Sequence, residues 1–510
     1  MATSNSGVPL SYQVSMTDNS IQLTLASSTG TIDSLDDLEW SLTSVNTSYL
    51  THGLLKYPAV MPPQIAANIF QFYLNRGVIE PGDWVYDPFI GSGTTLVEAR
   101  LHKLNAAGND INPFACLLSD VKSGSIDITE LKQANEAFIN GLEKELDEIK
   151  DAYRRPKTTE ESESKCDSSP IVTTDSDAQA RLPTSNVSYG MAAKDDWADY
   201  THLFDESDME IKTGWYPRPQ LYQLLHVRNR LNELREAYGT QVTKFLGVVV
   251  ARVTRKVSYQ RRNCFKRWRM SQEDRQTHDP DVFSILERHL QENTHRVSEY
   301  QERVCDSTET IVFRGDSREV LTQDNIVSEN YADIVVTSPP YGDHQTTVAY
   351  GEFSTDLAIM AENRKYDEMR DVDDKGLGGQ DPYSGMNVEK RSEAANDTLA
   401  KLDEDEGRVD DARDFFNDFA KVIEQVGTIV KPGHPVVWVV ANRRMSGENI
   451  PLNKVTMELC ESFGFSHEQT LGRGIEHKNM PSRNKHGATM EKEFVVVTRG
   501  PTESPIGNSR

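Results

Sequence analysis

The chain has 510 residues, more than one small module needs, and 37% of them are hydrophobic, enough for a sizeable buried core. Lys and Arg number 55 against 79 Asp and Glu, and a net charge of −24 excludes a surface that grips polyanions everywhere, so any nucleic-acid face must be local. No apolar run approaches the ~20 residues that cross a bilayer, the N-terminus lacks a basic start and an apolar centre, and the five cysteines are scattered without a C-x-x-C pair, so we expect a cytoplasmic protein with no membrane partner.

In chain order, residues 1 to about 35 carry few large apolar side chains, and we expect a flexible extension over 1–45. Pro62 and Pro63 stand where they can open a helix, with Ile65, Ile69, Phe70 and Tyr73 at helical spacing. Asp83 to Asp87 reads as a strand, Thr94 to Leu104 as a helix and Asn105 to Asp110 as a second strand. A strand, a glycine turn, a helix and a strand make a βαβ unit, and residues 46–125 form the first half of an α/β domain.

From Ile126 the pattern turns helical. Leu131, Ala134, Phe138, Leu142, Leu146 and Ile149 share one helix face, about 157–190 is a Ser/Thr/Asp-rich linker, and helical periodicity returns over about 220–255 and 282–304. We expect residues 126–308 to be an insertion. Strands at Thr310–Phe313 and Asp333–Val336 resume the α/β pattern over 309–500. An acidic stretch over about 361–413 reads as a long loop, followed by a helix (415–430), a strand (435–441), a helix (455–463), a strand (494–497) and a tail (501–510). Strands alternating with helices predict a doubly wound, mostly parallel sheet covered on both faces, with a helical insertion.

Three stretches carry chemistry, each at the end of a strand. In Asp87-Pro88-Phe89-Ile90-Gly91-Ser92-Gly93-Thr94-Thr95 the glycines permit close backbone approach, and the helix that follows offers unpaired N–H groups to a nucleotide-like ligand. No Lys stands where a phosphate-cradling loop needs one, which disfavours ATP and GTP. About 20 residues on, Asp110 ends the next strand, where an acidic side chain can accept hydrogen bonds from ribose hydroxyls. In Thr337-Ser338-Pro339-Pro340-Tyr341-Gly342 the prolines cannot donate, so carbonyls and the Ser338 hydroxyl face a ligand, with Tyr341 as a stacking surface; a planar ring bearing an amino group suits this arrangement.

Asp-Pro-Phe-x-Gly-Ser-Gly-Thr-Thr together with Thr-Ser-Pro-Pro-Tyr-Gly resembles the S-adenosylmethionine-dependent DNA amino methyltransferases, which methylate cytosine N4 or adenine N6. Thr51 to Ala59 resembles the family's segment beside the methionine end of the cofactor, and Gly315-Asp316-Ser317 its acidic turn at the adenine. The likeness spans about residues 50–120 and 310–500. It implies a Rossmann-like methyltransferase sheet, with S-adenosyl-L-methionine held by Tyr57, Pro58, Asp87 (near the amino group), Phe89, Gly91, Gly93, Thr94, Asp110 (ribose) and Asp316 (adenine). It also implies that Ser338, Pro339, Pro340 and Tyr341 take the target base. Ser in the first place of that motif is more typical, within the family, of cytosine N4 than of adenine N6. C5 methylation would need a cysteine after a proline, and no cysteine follows one.

Such an enzyme must flip its base and hold double-stranded DNA. Ala251 to Met270 holds eight basic residues and no acidic one, with Tyr259, Phe265 and Trp268 interleaved. Arg255, Lys256, Arg261, Arg262, Lys266, Arg267 and Arg269 are the candidate DNA contacts, and Gly342–Ser354 and Asn479–Asn484 are further ones. The insertion falls between Asp110 and Asp316 instead of just before the Ser-Pro-Pro-Tyr motif, a departure from the simplest family pattern. No histidine or cysteine cluster has metal spacing, and His52 and His344 read as structural or orienting residues. The reading is a site-specific cytosine-N4 DNA methyltransferase, with a restriction endonuclease as a possible partner; adenine N6, RNA guanine N2 and a non-catalytic DNA-binding relative are the alternatives.

Overall fold

The computed structural model describes residues 12–17, 20–25, 34–38, 40, 42, 45–154, 180–182, 209–261, 264–322, 326–342, 349–402, 408–475 and 492–505. The chain divides into two compact units, one of residues 1–125, 295–353 and 369–510, the other of 126–294 and 354–368.

The first unit is built on a seven-stranded sheet whose strands we number β1 (Trp84–Asp87), β2 (Asn105–Asp110), β3 (Thr310–Arg314), β4 (Ile334–Thr337), β5 (Pro435–Ala441), β6 (Ser466–Gly474) and β7 (Lys492–Arg499). Their order is β6-β7-β5-β4-β1-β2-β3. β5, β4, β1, β2 and β3 are parallel, β7 is antiparallel to β5, and β6 is antiparallel to β7. The chain leaves β1 in one direction and β4 continues in the other, so the strand order reverses between them and a crevice opens at their C-terminal ends, where all three sequence motifs stand.

The central strands are buried on both faces because their side chains alternate between two cores. Val437 and Val439 pack with Val85, Ile334 and Val336 against Ile65, Ile69, Phe70 and Tyr73 of helix α1 (Pro63–Asn75), which Pro63 opens. Val436, Trp438 and Val440 face Phe415, Phe416, Phe419 and Ile423 of the helix Arg408–Ile429 and Leu452, Val455 and Leu459 of the helix Leu452–Ser462. Helix α2 (Thr94–Leu101) follows β1, and α3 (Pro113–Ser123) follows β2.

The second unit holds the helices Ile128–Arg154, Arg218–Ala237, Thr240–Val257 and Gln272–Thr277 and most of Val282–Gln301. The expected insertion is shortened at its end. Tyr300 and Val304 pack on Tyr49, Leu50 and Val97, which draws the last turns of Val282–Gln301 into the first unit, while 354–368 joins the second.

Other expectations are corrected. α2 stops at Leu101, three residues early, in a turn where Lys103 has φ 63°. The helical stretch 220–255 is two helices, broken at Tyr238 and Gly239. The acidic stretch 361–413 contains the helices Tyr366–Asp374, Val388–Arg391 and Glu393–Lys401; each is short enough to bury only one to four side chains, such as Met369 and Val372, too few to show periodicity. The antiparallel edge strand β6 was not expected, because an edge exposes alternate residues and His467, Glu468 and Gln469 are polar. Within the presumed N-terminal extension Leu35 and Leu38 are buried in the first core. Most of the presumed linker 157–190 lies outside the described residues; within it, Ala180–Leu182 pairs with Met209–Ile211.

Candidate active site

The glycine turn is shaped by close approach. Gly93 has φ +83°, and a Cβ there would stand 2.9 Å from the Ser119 Cα, so only glycine fits between β1 and α3. Gly91 has φ +48°. α2 starts at Thr94 without a side-chain cap, which leaves its first N–H groups open to a ligand, and the buried Thr94 hydroxyl has no partner among the described residues. At the end of β1 the buried Asp87 Oδ1 accepts from the Phe89 N–H at 2.9 Å and from the Thr337 hydroxyl at 2.6 Å, which ties the cofactor turn to the strand carrying Ser338.

Asp110 holds the other side of the turn. Its Oδ2 accepts from the Gly91 N–H at 3.0 Å and its Oδ1 from the Asn112 N–H at 2.9 Å. Burial pushes both Asp87 and Asp110 up to about 6, with hydrogen bonds working against the shift. Among the described residues neither carboxylate has a cationic partner. Asn112 caps α3 through the Phe114 N–H and donates to the Tyr57 hydroxyl at 3.1 Å; the Tyr57 ring stacks on Tyr350 at 6.0 Å.

Asp316 reaches the same cleft, but its carboxylate already accepts from Arg318 through Nε and Nη2. Arg318 also donates to Asp418 at 3.0 Å, and those two carboxylates hold its guanidinium above the usual range. Buried Asn109 fixes the turn from behind: it accepts from Tyr86 Oη at 2.6 Å and donates to the Gly315 carbonyl and the Ser317 hydroxyl, each at 3.0 Å. Neither Asn109 nor Arg318 was expected. A single Asn beside Asp110 carries no signal of its own, and Asp418 lies a hundred residues from Arg318 in sequence.

Ser338 follows β4. Its hydroxyl lies 3.1 Å from Tyr341 Oη, which donates to Glu493 Oε1 at 3.3 Å. Burial, with Glu493 nearby, holds the Tyr341 phenol well above its ordinary value. Tyr57, Pro58, Asp87, Phe89, Gly91, Thr94, Asp110, Asp316, Ser338 and Pro340 all line one cleft of about 1080 Å³, part of it open to solvent. Gly93, Pro339 and Tyr341 stand behind that lining: Gly93 and Pro339 are buried, and the Tyr341 ring packs partly buried against the second core. Val372, Lys375 and Leu377, from the stretch expected to be a loop, form part of the wall.

The basic stretch belongs to the second unit, where its residues divide into two sets. After Val257 the chain makes a short antiparallel bridge, Gln260 to Arg269. Arg267 lies over the Trp215 ring at 4.6 Å and pairs with Asp356 at 2.5 Å; Arg269 lies over the same ring at 4.9 Å, and Arg255 donates to the Cys264 carbonyl. Those three are packed into the fold. Lys256, Arg261 and Lys266 are exposed, and Trp268 is 57% exposed beside Arg261. Arg262, His344, Asn479–Asn484 and much of Gly342–Ser354 lie outside the described residues. His52 is buried on Glu98 at 2.8 Å, in a structural role. Among the described residues no cluster could hold a metal ion, and no helix is long and apolar enough to cross a membrane.

Comparison with known proteins agrees with this geometry. A family model described as DNA methylase matches residues 27–120, the segment that holds the glycine turn and Asp110. The type II methyltransferase M.MvaI of Kocuria varians is 28% identical over 89% of this chain and 92% of its own length. In sequence the chain is similar to the S-adenosylmethionine-dependent DNA amino methyltransferases of the N4/N6 group. Type II methyltransferase M.MjaII of Methanocaldococcus jannaschii, 25% identical, covers 57% of this chain and 59% of its own. Among solved structures, the rRNA methyltransferase aviRa of Streptomyces viridochromogenes matches 92% of this chain and 98% of its own at 10% identity, with a TM-score of 0.29. The strand order, five parallel strands with an antiparallel β7 beside β5, is that of a Rossmann-like methyltransferase sheet.

The cofactor of this family is S-adenosylmethionine, and the cleft suits it. Two carboxylates without cationic partners among the described residues would complement an ammonium and a sulfonium, and the Thr94 hydroxyl and the uncapped α2 N-terminus would offer polar contacts.

Proposed function

We propose that this chain is a site-specific DNA methyltransferase that modifies the exocyclic amino group of a flipped base, with cytosine N4 as the acceptor. The observation that carries the reading is the shared cleft: the glycine turn and Asp110 line the same cavity as Ser338 and Pro340, so a methyl donor and a planar base would meet there. Tyr57, Pro58, Asp87, Phe89, Gly91, Gly93, Thr94, Asp110 and Asp316 are the proposed cofactor residues, and Ser338, Pro339, Pro340 and Tyr341 the proposed catalytic ones. Ser in the first position of that motif supports cytosine N4 over adenine N6.

When bound, S-adenosylmethionine supplies an electrophilic methyl group. The protein's task is to present the amine. A base amino group conjugated to its ring has a poor lone pair; N–H bonds to Ser338 Oγ and the Pro339 carbonyl would draw the nitrogen toward tetrahedral geometry and free that pair. Held this way, the amine would face the methyl donor with its lone pair, and its extra proton would leave to water after transfer. Orientation of this kind is worth on the order of 7–11 kcal/mol in favourable cases, against a few kcal/mol to unstack the base.

The exposed set Lys256, Arg261 and Lys266, with Trp268, is the proposed DNA contact surface, while Arg255, Arg267 and Arg269 hold that surface together. A mark placed at one sequence is also what would shield DNA from a companion restriction endonuclease. The test is to incubate the protein with tritiated S-adenosylmethionine and duplex DNA or RNA, digest to nucleosides and identify the labelled one. Label in N4-methyldeoxycytidine is expected. Label in N6-methyldeoxyadenosine would overturn the choice of base, and label confined to RNA the choice of substrate.

A further inference from the structure

Behind Ser338 a line of polar groups leads away from the cleft to the edge of the sheet. Tyr341 Oη stands between Ser338 Oγ at 3.1 Å and Glu493 Oε1 at 3.3 Å, and the other carboxylate oxygen of Glu493 accepts from Arg473 Nε at 2.8 Å and Nη2 at 2.5 Å. The backbone sets this up. Glu493, the second residue of β7, stands directly opposite Arg473 of β6 on one side and Ala441 of β5 on the other, so the Glu493 and Arg473 side chains are held as a cross-strand pair. The pair is sheltered, with the Arg473 side chain 8% and the Glu493 side chain 12% exposed.

Proton inventory gives this line a direction. A guanidinium only donates, so Glu493 meets Arg473 as an acceptor. Its Oε1 takes the single proton of Tyr341, whose oxygen is then free to accept, and the nearest donor to it is the Ser338 hydroxyl. The one proton of Ser338 is thereby committed away from the cleft, and the oxygen turns lone pairs toward it.

We propose that Glu493, anchored by Arg473, is a positioning residue that acts through Tyr341 to make Ser338 a pure hydrogen-bond acceptor toward the substrate's amino group. The proposal rests on the methyltransferase reading and deepens it: a site so polarised selects a substrate atom that carries protons and disfavours a ring nitrogen or carbonyl oxygen in the same place.

The test compares wild type, Tyr341→Phe, Glu493→Gln and the double variant in single-turnover methylation of duplex DNA, with cofactor affinity measured beside it. Each single variant should lower the methyl-transfer rate about tenfold, the scale of one hydrogen bond made in the transition state, with cofactor Kd within twofold of wild type. The double variant should be no slower than the worse single one, because both changes cut the same line. Rates within twofold of wild type in either single variant would overturn the proposal, as would losses that multiply in the double variant or a parallel loss of cofactor binding. Should Glu493→Gln not fold, Tyr341→Phe, which keeps the ring, decides alone by the same rate criterion. A wild-type protein that methylates no DNA base defeats the functional reading itself, whereas an active wild type with unaffected variants defeats only the line of positioning.

Discussion

Cofactor affinity should depend steeply on pH in the mildly acidic range. Asp87 and Asp110 line the cleft without cationic partners, and burial pushes each from 3.8 up to about 6. The sign follows from linkage. A carboxyl whose pKa is raised by folding gives stability that is complete below its unfolded value and is lost as pH rises through the folded one, so the ligand-free protein at pH 7.5 carries two reluctantly ionised groups. For Asp87 the rise from 3.8 to about 6 corresponds to roughly 3 kcal/mol. A bound cation offsets that cost, because an opposite charge favours the ionised form and pulls the pKa back down. Binding below pH 6 must therefore release protons, and cofactor Kd should weaken about tenfold between pH 7 and pH 5 for each carboxylate so linked, up to about a hundredfold for both. Titration calorimetry at pH 5, 6 and 7, in two buffers of different ionisation enthalpy, measures affinity and proton release together. Asp87→Asn should remove one of the linked protons and flatten the profile at the expense of affinity at pH 7. Equal Kd at pH 5 and 7, or proton uptake on binding, would refute the idea that buried, unpaired carboxylates hold the cationic cofactor.

Three further outcomes are expected. Gly93→Ala should cost on the order of 1–3 kcal/mol in chemical denaturation and abolish cofactor binding, since φ +83° and a Cβ 2.9 Å from Ser119 leave no room. Arg267→Ala should destabilise the protein by about 3–5 kcal/mol by leaving buried Asp356 without its cation, whereas Lys266→Ala should leave the melting temperature unchanged while lowering the salt dependence of DNA binding by about one ion. Lys122 is buried and its pKa is lowered to about 7, so it contributes stability that is present above its unfolded value of 10.5 and lost as pH falls through 7; Lys122→Met should raise the melting temperature at pH 6 and have little effect at pH 10.5 and above.

How far the sequence was legible depended on whether the signal was local. β1, the glycine turn and β2 were readable because a buried strand, two glycines with positive φ and a strand-ending Asp occur within 27 residues, and the turn's chemistry requires them to be contiguous. β5 was readable as an apolar run because both its faces are covered. By contrast β6 has one exposed side and a polar sequence, and the helices between 366 and 401 bury too few residues to show a period. Their places come from tertiary packing, which no window of sequence contains.

The same distinction governs the site. A basic, aromatic-rich stretch looks uniform in sequence, yet Trp215 and Asp356 convert Arg267 into a packing residue and leave neighbouring Lys266 in solvent; the partners that decide between the two roles lie 52 and 89 positions away. Ser338 and Tyr341 are adjacent enough to be noticed as a motif, but Glu493, which would orient both, is 152 residues from Tyr341 and reaches it only because β7 runs antiparallel beside β5. The reacting groups of such a site can be named from short motifs at strand ends because ligand contact confines them there. The groups that aim them have no such constraint and can come from any strand the sheet brings alongside, so the residues that set specificity are the ones a motif search is least able to find.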